Sequence, residues 1–357
     1  MKIGIVGLPN AGKSTLFNAL TAAGAETGAY PFTTIDPNMA IVEVPDPRLD
    51  ALAKTLHASK VTPATIEFHD IAGLVQGAAQ GEGLGNRFLA AIRETDAICH
   101  VVRAHGSDDV THPEGRVDPI ADLDLIDTEL LAADLEQAER RLERLVKQAR
   151  SGDEEAVEEK DWLEEVVAGL ESGRPVRDFP APDSVPEAPM RLSALTSKPV
   201  LYVANVEEGE TSVSAEIQER ANASGAQAVA ISARIESELR ELDDEEAEAM
   251  RGDLGVEGSG LERLIRAAFD LLDLITFFTA GVETEAVART LRRGSTAWDA
   301  AGKIHTDIQE GFVRAEVVQW SDLVNLGGYA EVRDEGLLRT EGRDYPVQDG
   351  DVITIRH

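Results

Sequence analysis

The sequence predicts an α/β fold, and three observations carry that prediction. Lys2–Val6 is a short apolar run. It breaks into a glycine-bracketed loop and then a helix with Leu16, Phe17 and Leu20 on one side. Strand-like runs recur at Met39–Val44, Ala64–Phe68, Ala97–Arg103, Lys198–Asn205 and Ala226–Ile231. From Leu131 the spacing changes. Leu131, Leu135, Ala138, Leu142, Leu145 and Ala149 repeat at alternating four and three, a helical period.

The first loop is Gly7-Leu8-Pro9-Asn10-Ala11-Gly12-Lys13-Ser14, a G-x-x-x-x-G-K-S sequence between a strand and a helix. This is a phosphate loop. The glycines let the backbone wrap with its N–H groups turned inward. Asn10, Ala11, Gly12, Lys13, Ser14 and Thr15 are the expected phosphate-binding residues. Lys13 is long enough to reach the β- and γ-phosphates, and Ser14 offers its hydroxyl to Mg²⁺.

The strand at Ala64–Phe68 runs into Asp70-Ile71-Ala72-Gly73. A D-x-x-G in this position holds Mg²⁺ through water with Asp70 and meets the γ-phosphate with the Gly73 N–H. Gln76–Gly85 is dense in glycine, which reads either as a switch segment or as a long surface loop. His100, inside the buried strand Ala97–Arg103, reads as a satisfied core histidine.

The helix beginning near Leu131 is broken by Ser151-Gly152-Asp153. A second helix carries Ala156, Leu163, Val166, Val167 and Leu170 and stops at Gly173-Arg174-Pro175. The pair predicts an antiparallel hairpin inserted into the first domain. Gly258-Ser259-Gly260 opens an apolar helix, Leu261–Leu272. Beyond it come strand-like stretches at Ile275–Val282, Ala286–Leu291, Phe312–Val318 and Val352–Ile355, with one helix near Ala297–Ile304. That pattern suits a small β-grasp domain, and it carries a basic cluster of Arg289, Arg292 and Arg293.

A length of 357 residues predicts two or three domains. The formal net charge is −32, with a sequence pI of about 4.5. Lysine is sparse and arginine supplies most of the positive charge. Such a surface suits either a high-salt cytoplasm or a genome that favours arginine. It argues against generic polyanion binding, and no sequence-specific DNA contact is expected. The one cysteine, Cys99, allows no intrachain disulfide and fits a reducing compartment. A strand beginning at Lys2 leaves no room for a signal peptide. No apolar run approaches the ~20 residues of a membrane helix. The expectation is a cytoplasmic monomer with no membrane contact.

Five segments resemble the YchF/Obg-like ATPase family. They are Gly7–Thr15, Tyr30–Asn38, Asp70–Val75, Gly83–Leu89 and Arg292–Thr296, and the resemblance extends over essentially the whole chain. Its most specific feature is Asn205-Val206-Glu207-Glu208, an N-x-x-E where GTPases carry N-K-x-D. The resemblance implies a P-loop NTPase G-domain over 1–274, an inserted helical arm over 123–190 and a TGS-type β-grasp domain over 275–357. It implies ATP hydrolysis and association with the ribosome during translation. Many members carry cysteine where this chain has Thr33, so a thiol switch there is absent.

The chemistry implied is γ-phosphoryl transfer to water. Thr34 is expected to join Ser14 on Mg²⁺, with Thr33 as its rival. Leu74 stands where Ras-like GTPases place a water-orienting glutamine, so slow intrinsic turnover is expected. His112 matches a loop histidine implicated in hydrolysis in the family; the alternative is a surface histidine fixed by Pro113. Asn10 matches an asparagine that helps hold K⁺ in some related G-proteins; the alternative is a turn-forming asparagine.

For the base, GTPases read guanine N1–H and the 2-amino group with the aspartate of N-K-x-D, and adenine lacks both donors. Glu208 and Val206 replace the aspartate and the lysine, so discrimination against adenine is lost. Asn205 is expected to reach N7 or the 6-amino group, and Ser232-Ala233-Arg234 follows at the place of a base-contacting loop. ATP is therefore expected to be preferred. The alternatives are a GTP-hydrolysing factor of the Obg type and a nucleotide-binding protein without useful turnover.

Overall fold

The computed structural model describes residues 1–26, 38–71, 84–106, 116–150, 152–240, 242–256 and 258–357. The chain divides into two compact units. One is Met1–Ala22, Ile35–Ala40 and Glu67–Ala267; the other is Ala23–Thr34, Ile41–Ile66 and Ala268–His357.

In chain order the elements begin with β1 (Lys2–Val6), α1 (Lys13–Glu26), β2 (Met39–Glu43), α2 (Pro47–Leu56), β3 (Lys60–Thr62), β4 (Thr65–Asp70) and α3 (Leu84–Arg93). They continue with β5 (Ala97–Arg103), α4 (Pro119–Ala149), α5 (Glu154–Glu171), β6 (Val200–Asn205) and β7 (Gln227–Ile231). The last strands are β8 (Leu274–Ala280), β9 (Glu285–Arg292), β10 (Arg314–Gln319), β11 (Arg339–Glu341) and β12 (Asp351–Arg356).

The first sheet has the order β2-β4-β1-β5-β6-β7. From β4 to β7 every pairing is parallel. Parallel sheets are covered on both faces, which is why β5 and β6 are buried along their whole length. The strand order turns back at β1, with β4 on one side and β5 on the other. In open parallel sheets the crevice at that point, beyond the strand C-termini, is where ligands sit. The register sets those C-termini along one edge in two steps, with β4 and β1 ending before β5, β6 and β7. Ile5 lies beside Asp70, Val6 beside His100, and Arg103, Asn205 and Ile231 follow one another across the sheet.

The helical hairpin is rooted in this sheet's core. Asp118 caps α4 by accepting from the Ala121 N–H, and Pro119 occupies its first turn. Leu123, Ile126, Leu130 and Ala133 pack under the sheet. Farther along, Ala138 and Leu145 face Ala156, Leu163, Val166 and Leu170 of α5. Asp153 caps α5 through the Ala156 N–H. Two buried carboxylates fix the return of the chain. Asp134 accepts from Leu195 N at 2.8 Å, Thr196 N at 2.7 Å and Thr196 Oγ1 at 2.7 Å. Glu159 is held between Arg141 and Arg191.

The second sheet has the order β11-β10-β12-β8-β9-β3. β8 and β9 form an antiparallel hairpin, the helix Ala297–Ile304 crosses the face, and β12 returns parallel to β8. That is the arrangement of a β-grasp sheet. Its edge beyond β9 is β3, with Lys60, Val61 and Thr62 in register with Glu285, Ala286 and Val287. α2 supplies Leu49, Leu52 and Leu56 to the interior of the same unit. Arg48 ties its start down. The guanidinium donates to Asp46 and to Asp349 and lies 5.5 Å from the centre of the Phe278 ring. The basic cluster is partly tied down as well: Arg293 meets Asp273 at 2.9 Å, and Arg289 donates to Thr279.

Candidate functional site

A cavity of about 630 Å³ opens beyond the C-termini of β1, β5, β6 and β7. Its walls come from Asn10 and Gly12–Thr15, from His105 and Gly106, from Asn205–Glu208 and from Ser232–Arg234.

The loop after β1 has the backbone its glycines predict. Gly12 has φ +98, and a Cβ there would lie 2.2 Å from Asn205 Nδ2. At Gly7 the φ is +155, and a Cβ would lie 2.3 Å from the Val101 carbonyl oxygen. Both positions therefore exclude a side chain on steric grounds. Asn10 has φ 65, the left-handed region that asparagine tolerates better than most residues. α1 starts at Lys13 with no acidic residue in its first turn, so its N-terminal N–H groups and positive dipole end stay available to an anion.

Lys13 is buried and donates from Nζ to the Leu8 carbonyl at 2.7 Å. Burial lowers its pKa, and the charge of Asp70 pulls it back up. Burial raises the Asp70 carboxyl, and Lys13 opposes the shift. The two groups thus share one poorly solvated region at the ends of neighbouring strands. A nearby ammonium such as Lys13 answers the phosphate charge rather than the metal, while Mg²⁺ with bound phosphates requires few protein oxygens and much phosphate oxygen. Asp70 and Ser14 fit that role. Among the described residues no cluster of three or more His, Cys, Asp or Glu forms a metal cage of its own.

Asn205 has a task besides the one its motif predicts. Its side-chain Nδ2 donates to the Ala11 carbonyl at 3.1 Å, and its Oδ1 accepts from the Ala233 N–H at 3.1 Å. The amide is buried and bridges the phosphate loop to the Ser232–Ala233 loop. Each end of the amide keeps a further valence, a second N–H and a second lone pair, so bracing the loops and reading N7 or the 6-amino group are compatible. Val206 lies on the wall. Glu208 is drawn to Arg234, 3.3 Å from its NH1, and Arg234 also meets Glu238 at 2.9 Å. Glu236 anchors this loop from behind by accepting from Gly260 N at 2.6 Å and Ser259 Oγ at 3.2 Å.

Sequence reasoning missed His105 and Glu207, which stand 3.8 Å apart on the wall. Burial lowers the His105 pKa, followed by the charge of Arg103, and Glu207 opposes both. The missed signal was positional: His105 lies two residues past the end of β5, on the edge of the sheet where the cavity opens. His100 also differs from expectation. It is buried, its ring centre lies 5.8 Å from that of Tyr202 in an edge-on arrangement, and its Nε2 has no hydrogen-bond partner among the described residues. Burial, then Lys13 and Arg220, push its pKa down to about 3. It is a neutral core ring rather than a satisfied one. Thr33, Thr34, Gly73, Leu74 and His112 lie outside the described residues.

A family model for the C-terminal region of YchF GTPases, described as a protein of unknown function, matches residues 274–357. A second, described as a 50S ribosome-binding GTPase, matches residues 2–144. The ribosome-binding ATPase YchF of Bacillus subtilis (strain 168) is 49% identical, over 99% of this chain and 98% of its own length. The chain belongs to the YchF family. The YchF protein of Haemophilus influenzae, also named a ribosome-binding ATPase, is 50% identical over 99% and 98%. A solved YchF structure, the YchF GTPase of Schizosaccharomyces pombe, is 36% identical. Its TM-score is 0.89, covering 100% of this chain and 97% of that one. A GTP-binding protein of Pyrococcus horikoshii shares the fold at a TM-score of 0.63 and 21% identity. The names differ on the nucleotide, ATPase for the bacterial YchF proteins and GTPase for the yeast one. The base-facing wall therefore carries the weight of that question.

Proposed function

We propose that this chain is a nucleotide-switched ATPase that hydrolyses ATP to ADP and phosphate and works in association with the ribosome. The observation that carries the choice of nucleotide is the wall at Asn205–Glu208. Its asparagine braces two loops, and its carboxylate is the longer glutamate, paired with Arg234. A guanine would present N1–H and a 2-amino group to a wall without the aspartate that accepts both. Donors left unpaired in this way cost about 1–3 kcal/mol each. Val206 backbone groups and the Ser232–Ala233 loop are the adenine-side contacts.

For the chemistry, the loop N–H groups from Asn10 to Thr15 and the Lys13 ammonium hold the phosphates in line. Mg²⁺, when bound, would be held by Ser14, Thr34 and Asp70 and would supply charge neutralisation of the phosphates. Lys13 leaves the Leu8 carbonyl when a phosphate replaces it. Gly73 donates to the γ-phosphate, and His112 orients the attacking water. Asn10 contributes to a K⁺ site beside the phosphates. The names of the close relatives support ribosome association, and in this reading the chain acts in the cytoplasm and is a monomer when free. No described helix is long and apolar enough to cross a membrane.

A GTP-hydrolysing factor of the Obg type is the second reading, favoured by the GTPase name of the yeast relative. Titration of ATP and GTP into the full chain separates the two, with ATP expected to bind more tightly. Ribosome pelleting with ATP, a non-hydrolysable analogue and ADP, across a salt series, tests the partner. Equal pelleting in all three nucleotide states would remove the switch from the proposal.

A further inference from the structure

We propose that a second cavity, at the root of the helical arm, is a binding site for a small amphipathic carboxylate. The cavity measures about 260 Å³. Ile98 and Val200, paired in register near the starts of β5 and β6, lie on its floor. The nucleotide site lies beyond the other ends of the same strands. Ile98 and Arg103 are five residues apart, so roughly 16 Å separates the two along β5.

One wall is apolar, with Leu130 and Leu131 of α4 and Leu195 beside the two strand residues. The opposite wall is polar and carries three guanidinium groups, Arg174, Arg177 and Arg220, against two carboxylates, Asp127 and Asp178. With Asp124, which also meets Arg220, the three guanidinium groups face three carboxylates. Arg220 is neutralised, meeting Asp127 at 2.6 Å and Asp124 at 3.2 Å. Arg174 lies over the Phe179 ring, 4.0 Å from Asp178.

Arg177 is the exception. Its Nε donates to the Ser224 carbonyl at 3.3 Å and its NH1 to the Thr196 carbonyl at 3.1 Å. Among the described residues no carboxylate is within ion-pair range of it, although Asp127 is near enough for the two charges to act on each other. Two backbone carbonyls fix the plane of this guanidinium and leave its remaining N–H groups for a planar anion, the geometry that a carboxylate meets with two parallel hydrogen bonds. Asp127 and Asp178 line the same space and repel a dianion, so a monoanionic carboxylate fits better than phosphate. The apolar wall takes the rest of the ligand. An occupant would bridge α4, the turn after α5 and the helix Ala215–Ser224, and so brace the base of the arm.

Calorimetric titration and melting curves on the full chain test the site with phenylacetate, its neutral amide and inorganic phosphate. Phenylacetate is expected to bind saturably at millimolar concentration and to raise the melting temperature. The amide and phosphate are expected to bind about tenfold more weakly or not at all. Arg177→Gln is expected to abolish phenylacetate binding. Ala223→Trp, at an exposed lining position, is expected to do so by filling the mouth, and it decides the matter if the arginine variant fails to fold. The proposal is overturned by absence of saturable phenylacetate binding, by equal binding of acid and amide, by tighter binding of phosphate, or by binding that survives in both variants.

Discussion

The Asn205 side chain donates to the Ala11 carbonyl at 3.1 Å, across 194 residues of sequence. With its other end on the Ala233 N–H it holds the phosphate loop and the base-side loop at a fixed spacing. Gly12 closes against the same amide. Asn205→Ala leaves the Ala11 carbonyl and the Ala233 N–H unpaired in a buried place, at about 1–3 kcal/mol each. Nucleotide affinity is expected to fall about tenfold or more, by calorimetric titration, with a lower melting temperature. Retained affinity would show that the brace does not shape the site.

Glu208→Asp alone is expected not to create a good GTPase. The shorter carboxylate restores the guanine-reading group, but Val206 still does not cover the base. GTP affinity is expected to rise by less than about tenfold while ATP binding persists. A variant that prefers GTP outright would contradict the assignment of the wall.

The K⁺ proposal rests on Asn10. Its left-handed backbone also suits a plain turn residue. Hydrolysis is expected to be faster in KCl than in matched NaCl. Equal rates would leave Asn10 as a turn residue.

His112→Ala is expected to lower turnover by roughly 10²-fold or more with nucleotide affinity kept, as for loss of a group that positions or deprotonates water. Single-turnover hydrolysis and equilibrium binding measured together would separate that from a fall in affinity.

His100 makes stability depend on pH in a defined direction. The native state holds the ring neutral down to about 3, whereas an unfolded histidine titrates near 6.5. Between those values the unfolded chain binds the extra proton, so stability falls as pH falls. The loss from this ring is about 2 kcal/mol by pH 5. His100→Phe removes it. The drop in melting temperature from pH 7 to pH 5 should be smaller in the variant than in the parent, and an equal drop would remove His100 as the cause.

Most of the first sheet was legible because burial on both faces leaves continuous apolar runs, as at Ala97–Arg103. The phosphate loop was legible because glycine at positions 7 and 12 is a steric requirement. Two kinds of feature were not legible. β3 pairs with β9 over a sequence gap that no local pattern encodes, and Lys60-Val61-Thr62 is too short and polar to signal a strand. The brace made by Asn205 was not legible because its motif fixes the residue type and says nothing about which protein groups hold it. The second guanidinium cavity was invisible for a similar reason: Arg174, Arg177 and Arg220 come from separate elements and meet only in the fold.

The pairing of β3 with β9 also sets a timetable for synthesis. Lys60 leaves the ribosome some 225 residues ahead of Glu285, its partner in register and in a 2.7 Å ion pair. At about 5–20 residues per second the wait is roughly 10–45 s. During that interval Leu49, Leu52 and Leu56 of α2 have no sheet to cover them. The upstream half of this unit is thus a nascent-chain liability until the last strands emerge, and its assembly is a late, long-range step rather than a local one.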